Sequence, residues 1–469
     1  MDAASETDSL LPPPRAADVS GMHTADRPPR LFRPAIVWAL VVQFLSALPY
    51  YLLIAPKLKL LELAICRDYH STRDPGVIGH PNIWPGFDID ERLCKERTIQ
   101  QKVSYLRAWS VFIEAMCGTL PDIFSVNATL WSNSFLVIGC GSYVLFSMTT
   151  TLAMDVTSHA ERPIVLYWVL CANILAYTAG SALATGSMQT LWLPYALALV
   201  LTVLAVLVVL IPRVPSLATL EATEPRTQED SSFAVISSSH WADFAAGVRN
   251  KASTIGSNKR LCVTLLLFPL MASRGPLAEL ALPYSSKRYG WSLRTAASLD
   301  MVNGAVGLVT NAMIVPKVIS TLERRNFTPL AATALIAKCS ALNVCIGCVV
   351  TGSASLGWVM LLGWTCYSTG SGVRMAVLSM ATSLVSPQDF ATLNSLIVTI
   401  ETLADLTIVP LIWSAWSGAL AWDKRYLGLP WFVTAAAYIL VLGILSLTPF
   451  SAKRSREPEA DTQQGPSIS

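Results

Sequence analysis

The sequence predicts an all-α integral membrane protein, built as two groups of helices about a polar linker. Hydrophobic residues make up 53% of the 469 and charged residues only 14%. A soluble domain carries about a quarter charged residues. Apolar runs of bilayer length, about 20 residues each, recur along the chain. They stop over 212–260, where Arg213, Arg226, Arg249, Lys251, Lys259 and Arg260 make the connection basic, as cytoplasmic connections are. A net charge of +3 is too small to point to nucleic acid. Of the ten cysteines only Cys345 and Cys348 have CxxC spacing, with no second such pair, so no metal site is expected. The polar segments are too short for a catalytic domain, so neither an enzyme nor a cofactor is expected.

Residues 1–33 are polar and Pro-rich and are predicted to be a disordered tail, with Arg15, Arg27, Arg30 and Arg33 placing it in the cytoplasm. Within it, Glu6-Thr7-Asp8-Ser9-Leu10-Leu11 has the acidic dileucine pattern of endosomal or vacuolar sorting signals. The plasma membrane and a vacuolar or endosomal membrane are both candidate locations. The first half covers 34–211. Its first helix is read as Pro34 to Ile54, followed by a charged loop over 57–102 on the far side of the membrane. Cys66 and Cys94 are the two cysteines of that loop, and on the oxidising side they are expected to pair. Val103–Gly118 is short and carries Arg107 and Glu114, so it is expected not to span, or to re-enter. Spans follow near Thr129–Ala153, Ile164–Ala184 and Leu191–Ile211.

The second half, 261–449, reads as six spans: Leu261–Leu282, Leu293–Ile319, Leu330–Val350, Gly357–Ser379, Leu393–Trp413 and Trp431–Leu447. A cytoplasmic tail, 450–469, closes the chain. Arg374 lies in the fourth of these spans, and Glu401 and Asp405 lie in the fifth. By the 1.5 Å rise of a helix, Arg374 and Glu401 can meet at similar depth. Glu401 and Asp405, four apart, share a face, and two close carboxylates in low dielectric cannot both ionise cheaply. Proton coupling and a structural charge triad both fit this pattern. Arg274 and Glu279 fall near the outer half of the first of these spans, which Pro269 and Pro276 should kink, freeing backbone carbonyls for a site or gate. A solute contact and an Arg–Glu pair within one helix remain alternatives there. Asp300 and Asn303 stand one turn apart, with Asp300 near enough to a helix start to reach the interface.

Several segments resemble fungal members of the major facilitator superfamily related to proton-coupled folate and haem carriers. They are Ile65-Cys66-Arg67-Asp68-Tyr69, Leu93-Cys94-Lys95, Asp155-Val156-Thr157 with Glu161-Arg162, Gly370-Ser371-Gly372-Val373-Arg374 and Leu427-Gly428-Leu429-Pro430. The most specific is Tyr284-Ser285-Ser286-Lys287-Arg288-Tyr289-Gly290-Trp291. The resemblance implies a two-half bundle that moves a small solute by alternating access, with protons as possible coupling ions and a site near the midplane. The chain is expected to act as a monomer in the bilayer. It departs from the family after Gly118, where the Gly-rich basic motif of the second connection is missing. A helix is therefore expected to be lacking from the first half, leaving 11 or fewer spans. The alternative is a non-transporting, receptor-like or defective relative, from a truncated gene model or splice form.

Overall fold

The computed structural model describes residues 34–73, 92–117, 141–155, 157, 162–188, 190, 192–210, 258–386, 389–422 and 424–448. The terminal tails, the basic linker and 118–140, where the departure from the family falls, lie outside the described residues. The first half holds α1 (Pro34–Arg73), α2 (Arg97–Cys117), α3 (Gly141–Asp155), α4 (Arg162–Ser187) and α5 (Leu193–Leu210). The second holds α6 (Lys259–Met271), α7 (Arg274–Tyr289), α8 (Leu293–Val309) and α9 (Val315–Arg324). It continues with α10 (Pro329–Ser353), α11 (Gly357–Thr369), α12 (Val373–Ser383), α13 (Phe390–Ala421) and α14 (Leu429–Leu447). Among the described residues, 8 helical stretches are long and apolar enough to cross a membrane. This is a multi-pass membrane protein.

The turns follow from local chemistry. Asn258 caps α6 by accepting from the Arg260 and Leu261 N–H groups, and Ser292 caps α8 by accepting from Thr295. Thr328 caps α10 with Pro329 at its first position, where no N–H is needed. Gly290, at φ 72°, ends α7 in the left-handed conformation that a side chain would strain. The exposed surface of α5 is Leu199, Val200, Val203, Leu204, Val206, Leu207 and Val209. Such a face suits hydrocarbon and not water.

Three stretches differ from the sequence reading. The first helix does not stop at Ile54 but runs on to Arg73, so much of the expected loop is helical. The segment expected not to span, or to re-enter, is the later part of one continuous helix, Arg97–Cys117. Its charges leave it outside the stretches apolar enough to cross, but Arg107 is satisfied by a partner on the other half. The long rods are also broken. Lys259–Tyr289 breaks at Ala272–Ser273 after Pro269, Leu293–Arg324 contains a π segment at Thr310–Ile314, and α11 joins α12 through a 3-10 turn at Gly370–Gly372.

Within the first half α1 packs along α4 and α5, and within the second α10 packs along α11, α12 and α14. The halves meet mainly through two helix pairs, α4 with α8 and α2 with α13. Gly304 makes the first contact possible, because a Cβ there would lie 1.9 Å from the Thr178 hydroxyl. One end of the bundle carries the Cys66–Cys94 disulfide, with Cα atoms 5.2 Å apart, as the sequence led us to expect. Around it Leu58, Leu63, Ile99 and Val103 pack with Leu282, Ala296 and Ala297 of the second half. The opposite end, where the linker attaches, is closed by Met154, Leu166 and Tyr167 against the second-half core.

Candidate functional site

The polar groups of the bundle gather where the halves meet. Between the halves, Tyr177 of α4 donates to the Asp300 carboxylate of α8 at 2.6 Å, and Asn303 donates to the same hydroxyl at 3.4 Å. Asp300 is 4% exposed. It therefore does not reach the interface as its early position allowed; the close approach of α4 and α8 seals it between the halves. Behind Tyr177 a line of polar groups crosses the first half. Thr149 donates to Gln43, Gln43 to Asn173, and Asn173 to the Tyr51 hydroxyl. The Tyr51 and Tyr177 rings meet edge to face, 5.1 Å between centroids. Sequence reasoning missed this line, since Gln43, Asn173 and Tyr51 lie singly in apolar runs.

Two arginine–glutamate pairs follow. Arg107 of α2 holds Glu279 of α7 at 2.7 Å, across the halves and toward the disulfide end. The intrahelical alternative for Glu279 is thus corrected: its carboxylate goes to Arg107, because α2 presents that cation from the facing half. Arg374 of α12 grips Glu401 of α13 with two hydrogen bonds of 2.6 Å, and its guanidinium lies 5.0 Å from the Phe146 ring of α3. The depth match read from the sequence is therefore present. Glu401 and Asp405, on one face, are 7% and 9% exposed. The fork geometry ties Arg374 to both oxygens of a single carboxylate.

Arg274 takes neither Glu279 nor any other described carboxylate; its guanidinium lies over the Tyr367 ring at 4.8 Å. The helix breaks at Ala272–Ser273, and two carbonyls beside the break accept from tyrosines. Tyr367 donates to the Arg274 carbonyl at 2.9 Å and Tyr438 to that of Met271 at 3.4 Å. At the linker end, the Asn394 amide of α13 donates to the Ser147 carbonyl and hydroxyl and to Thr150 and Thr151 of α3. Lys287 donates to the Lys95 carbonyl at the disulfide end. Lys95 and Gln100 in turn hold Glu62, at 2.7 and 2.6 Å. Among the described residues no group of His, Cys, Asp and Glu could hold a metal ion.

No family model matches the chain. The chain is similar to the MFS-type transporter avaK of Aspergillus versicolor, 23% identical over 410 residues, which are 84% of this chain and 87% of that protein. It is similar to the MFS efflux pump atnC of Emericella nidulans, 24% identical and covering 83% of each. Among solved structures, the human organic anion transporter MFSD10 superposes with a TM-score of 0.57 at 18% identity, over 89% of this chain and 100% of that one. FucP in its outward conformation gives 0.52 at 12%, over 88% and 98%. The chain has the major facilitator fold. The α4–α8 and α2–α13 contacts are thus the seam between the two halves of a major facilitator bundle, and Asp300, Tyr177, Arg107 and Glu279 stand on that seam.

Proposed function

We propose that this chain is a secondary active transporter, not an enzyme, moving a small organic solute by alternating access with protons as the coupling ion. The observation that carries the reading is the buried Asp300 carboxylate, held by a hydroxyl from the opposite half. A carboxylate there gains or loses its partner whenever the halves rock, so its proton affinity changes with conformation. Arg107–Glu279 at one end and Asn394 with α3 at the other are contacts that such rocking must break in turn. Relatives named as transporters and efflux pumps support the coarse part of this reading. Arg374, Glu401 and Asp405 act as the structural clamp of the second half or as a second proton site; the two-bond grip on Glu401 favours the clamp.

The test uses full-length protein in proteoliposomes loaded with a pH-sensitive dye and challenged with a library of small organic solutes. Wild-type vesicles should acidify only with a transported solute, and Asp300→Asn should lose the acidification while keeping solute exchange. Flux indifferent both to the pH gradient and to Asp300→Asn would reject proton coupling. Folded protein that moves none of the solutes would favour a non-transporting relative. The missing Gly-rich motif after Gly118 is the observation on that side.

A further inference from the structure

Among the described residues, Arg274 is a cation without a counter-charge in the bundle. It stands midway along the rod Lys259–Tyr289, about 22 Å from either end by helical rise. The nearby acids are taken: Glu279 binds Arg107, and Asp300 accepts from Tyr177. No described carboxylate pairs with Arg274, and its buried Nε has no hydrogen-bond partner. What the guanidinium does touch is aromatic. It lies on the Tyr367 ring, which stacks on Trp364 at 4.9 Å, with the Trp431 ring edge-on to both. Trp364 of this wall donates to the Leu299 carbonyl of α8 at 2.8 Å, so the wall reaches the helix that meets α4 at the seam.

A charge at membrane depth faces a partner or a water-filled path. Here the described residues supply the donors and the aromatic wall but not the anion. We propose that Arg274 is the anchor for the anionic group of the transported solute, and that this solute is an organic monoanion, a carboxylate on an apolar, flat body. This rests on the transporter reading and names its substrate class. One charge follows from the surroundings. Among the described residues Arg274 is the one cation against the Tyr367 ring, so a dianion would be left with uncompensated charge. A carboxylate follows from the fork of the guanidinium, which presents two parallel donors to two coplanar oxygens. An apolar body follows from Tyr367, Trp364 and Trp431.

The experiment measures equilibrium binding of radiolabelled 1-naphthoate to the full-length protein in nanodiscs. Unlabelled 1-naphthoate, octanoate, 1-naphthamide and 1-naphthyl phosphate serve as competitors. The two carboxylates should compete at least about tenfold better than the amide and the phosphate, a 1.4 kcal/mol preference or more. Arg274→Gln should abolish that preference. Arg274→Lys keeps the charge but loses the fork, and should retain the preference with weaker binding, which keeps the test open if the glutamine variant does not fold. No saturable carboxylate binding, equal competition by the amide, or an unchanged preference in Arg274→Gln would each overturn the assignment. Uptake of the label into proteoliposomes separates the two ideas. Binding without uptake rejects the transporter reading and leaves the anion site standing, whereas uptake that ignores Arg274 rejects only the anion site.

Discussion

The two arginine–glutamate pairs look alike in the sequence and differ in what they join. Arg374–Glu401 ties α12 to α13 inside one half, with two short hydrogen bonds and the glutamate side chain 9% exposed. Arg107–Glu279 ties α2 to α7 across the seam, with side chains 11% and 19% exposed. A pair inside one rigid half can stay closed through the whole cycle. A pair across the seam must part whenever that end opens. In the proposed alternating-access cycle the same residue types act as a clamp in one place and as a latch in the other, and only connectivity tells them apart.

The largest expected effect is on the clamp. Arg374→Ala strands Glu401 in a buried site and should cost about 3–5 kcal/mol, seen as a large fall in denaturation midpoint and in membrane protein level. A normal midpoint would break the contrast at once, because the pair would then be dispensable. Next comes the disulfide end itself. Cys66→Ser with Cys94→Ser should cost about 3 kcal/mol, by freeing the loop the bond closes. The wild-type pair should resist maleimide until reduced; labelling without reductant would remove the bond from the account.

Smaller in energy but sharper in meaning is the latch. Arg107→Ala should lower stability by only about 2 kcal/mol. It should shift the open population at the disulfide end by about 30-fold. A cysteine placed at Ala297, buried there beside Val103, would report this as faster reaction with an impermeant maleimide. Arg374→Lys should leave that rate unchanged. Equal acceleration by both variants would mean that neither pair is specific to the seam. The smallest effect belongs to Asn394→Ala, about 1 kcal/mol for an uncharged set of hydrogen bonds. It should favour opening at the linker end and so slow the labelling at position 297. Faster labelling instead would place Asn394 outside the opposing latch.

The sequence by itself determined the membrane class, the two groups of helices and the disulfide, because each rests on composition or on compartment chemistry. It also placed Arg374 and Glu401 at one depth, since two adjacent helices joined by the short turn at Ser386–Asp389 leave little freedom in register. Glu279 was different. Its nearest cation along the chain is Arg274, five residues away, yet its partner is Arg107, 172 residues away. Nor could spacing show that Asp300 would be sealed by Tyr177, or that Arg274 would be left with aromatic rings and no acid. Those outcomes depend on how close α4 lies to α8 and α2 to α13, which the small side at Gly304 and the packing of whole halves decide. Local pattern sets where a charge can lie along its own helix. Which charge meets it from another helix is settled only when the halves close.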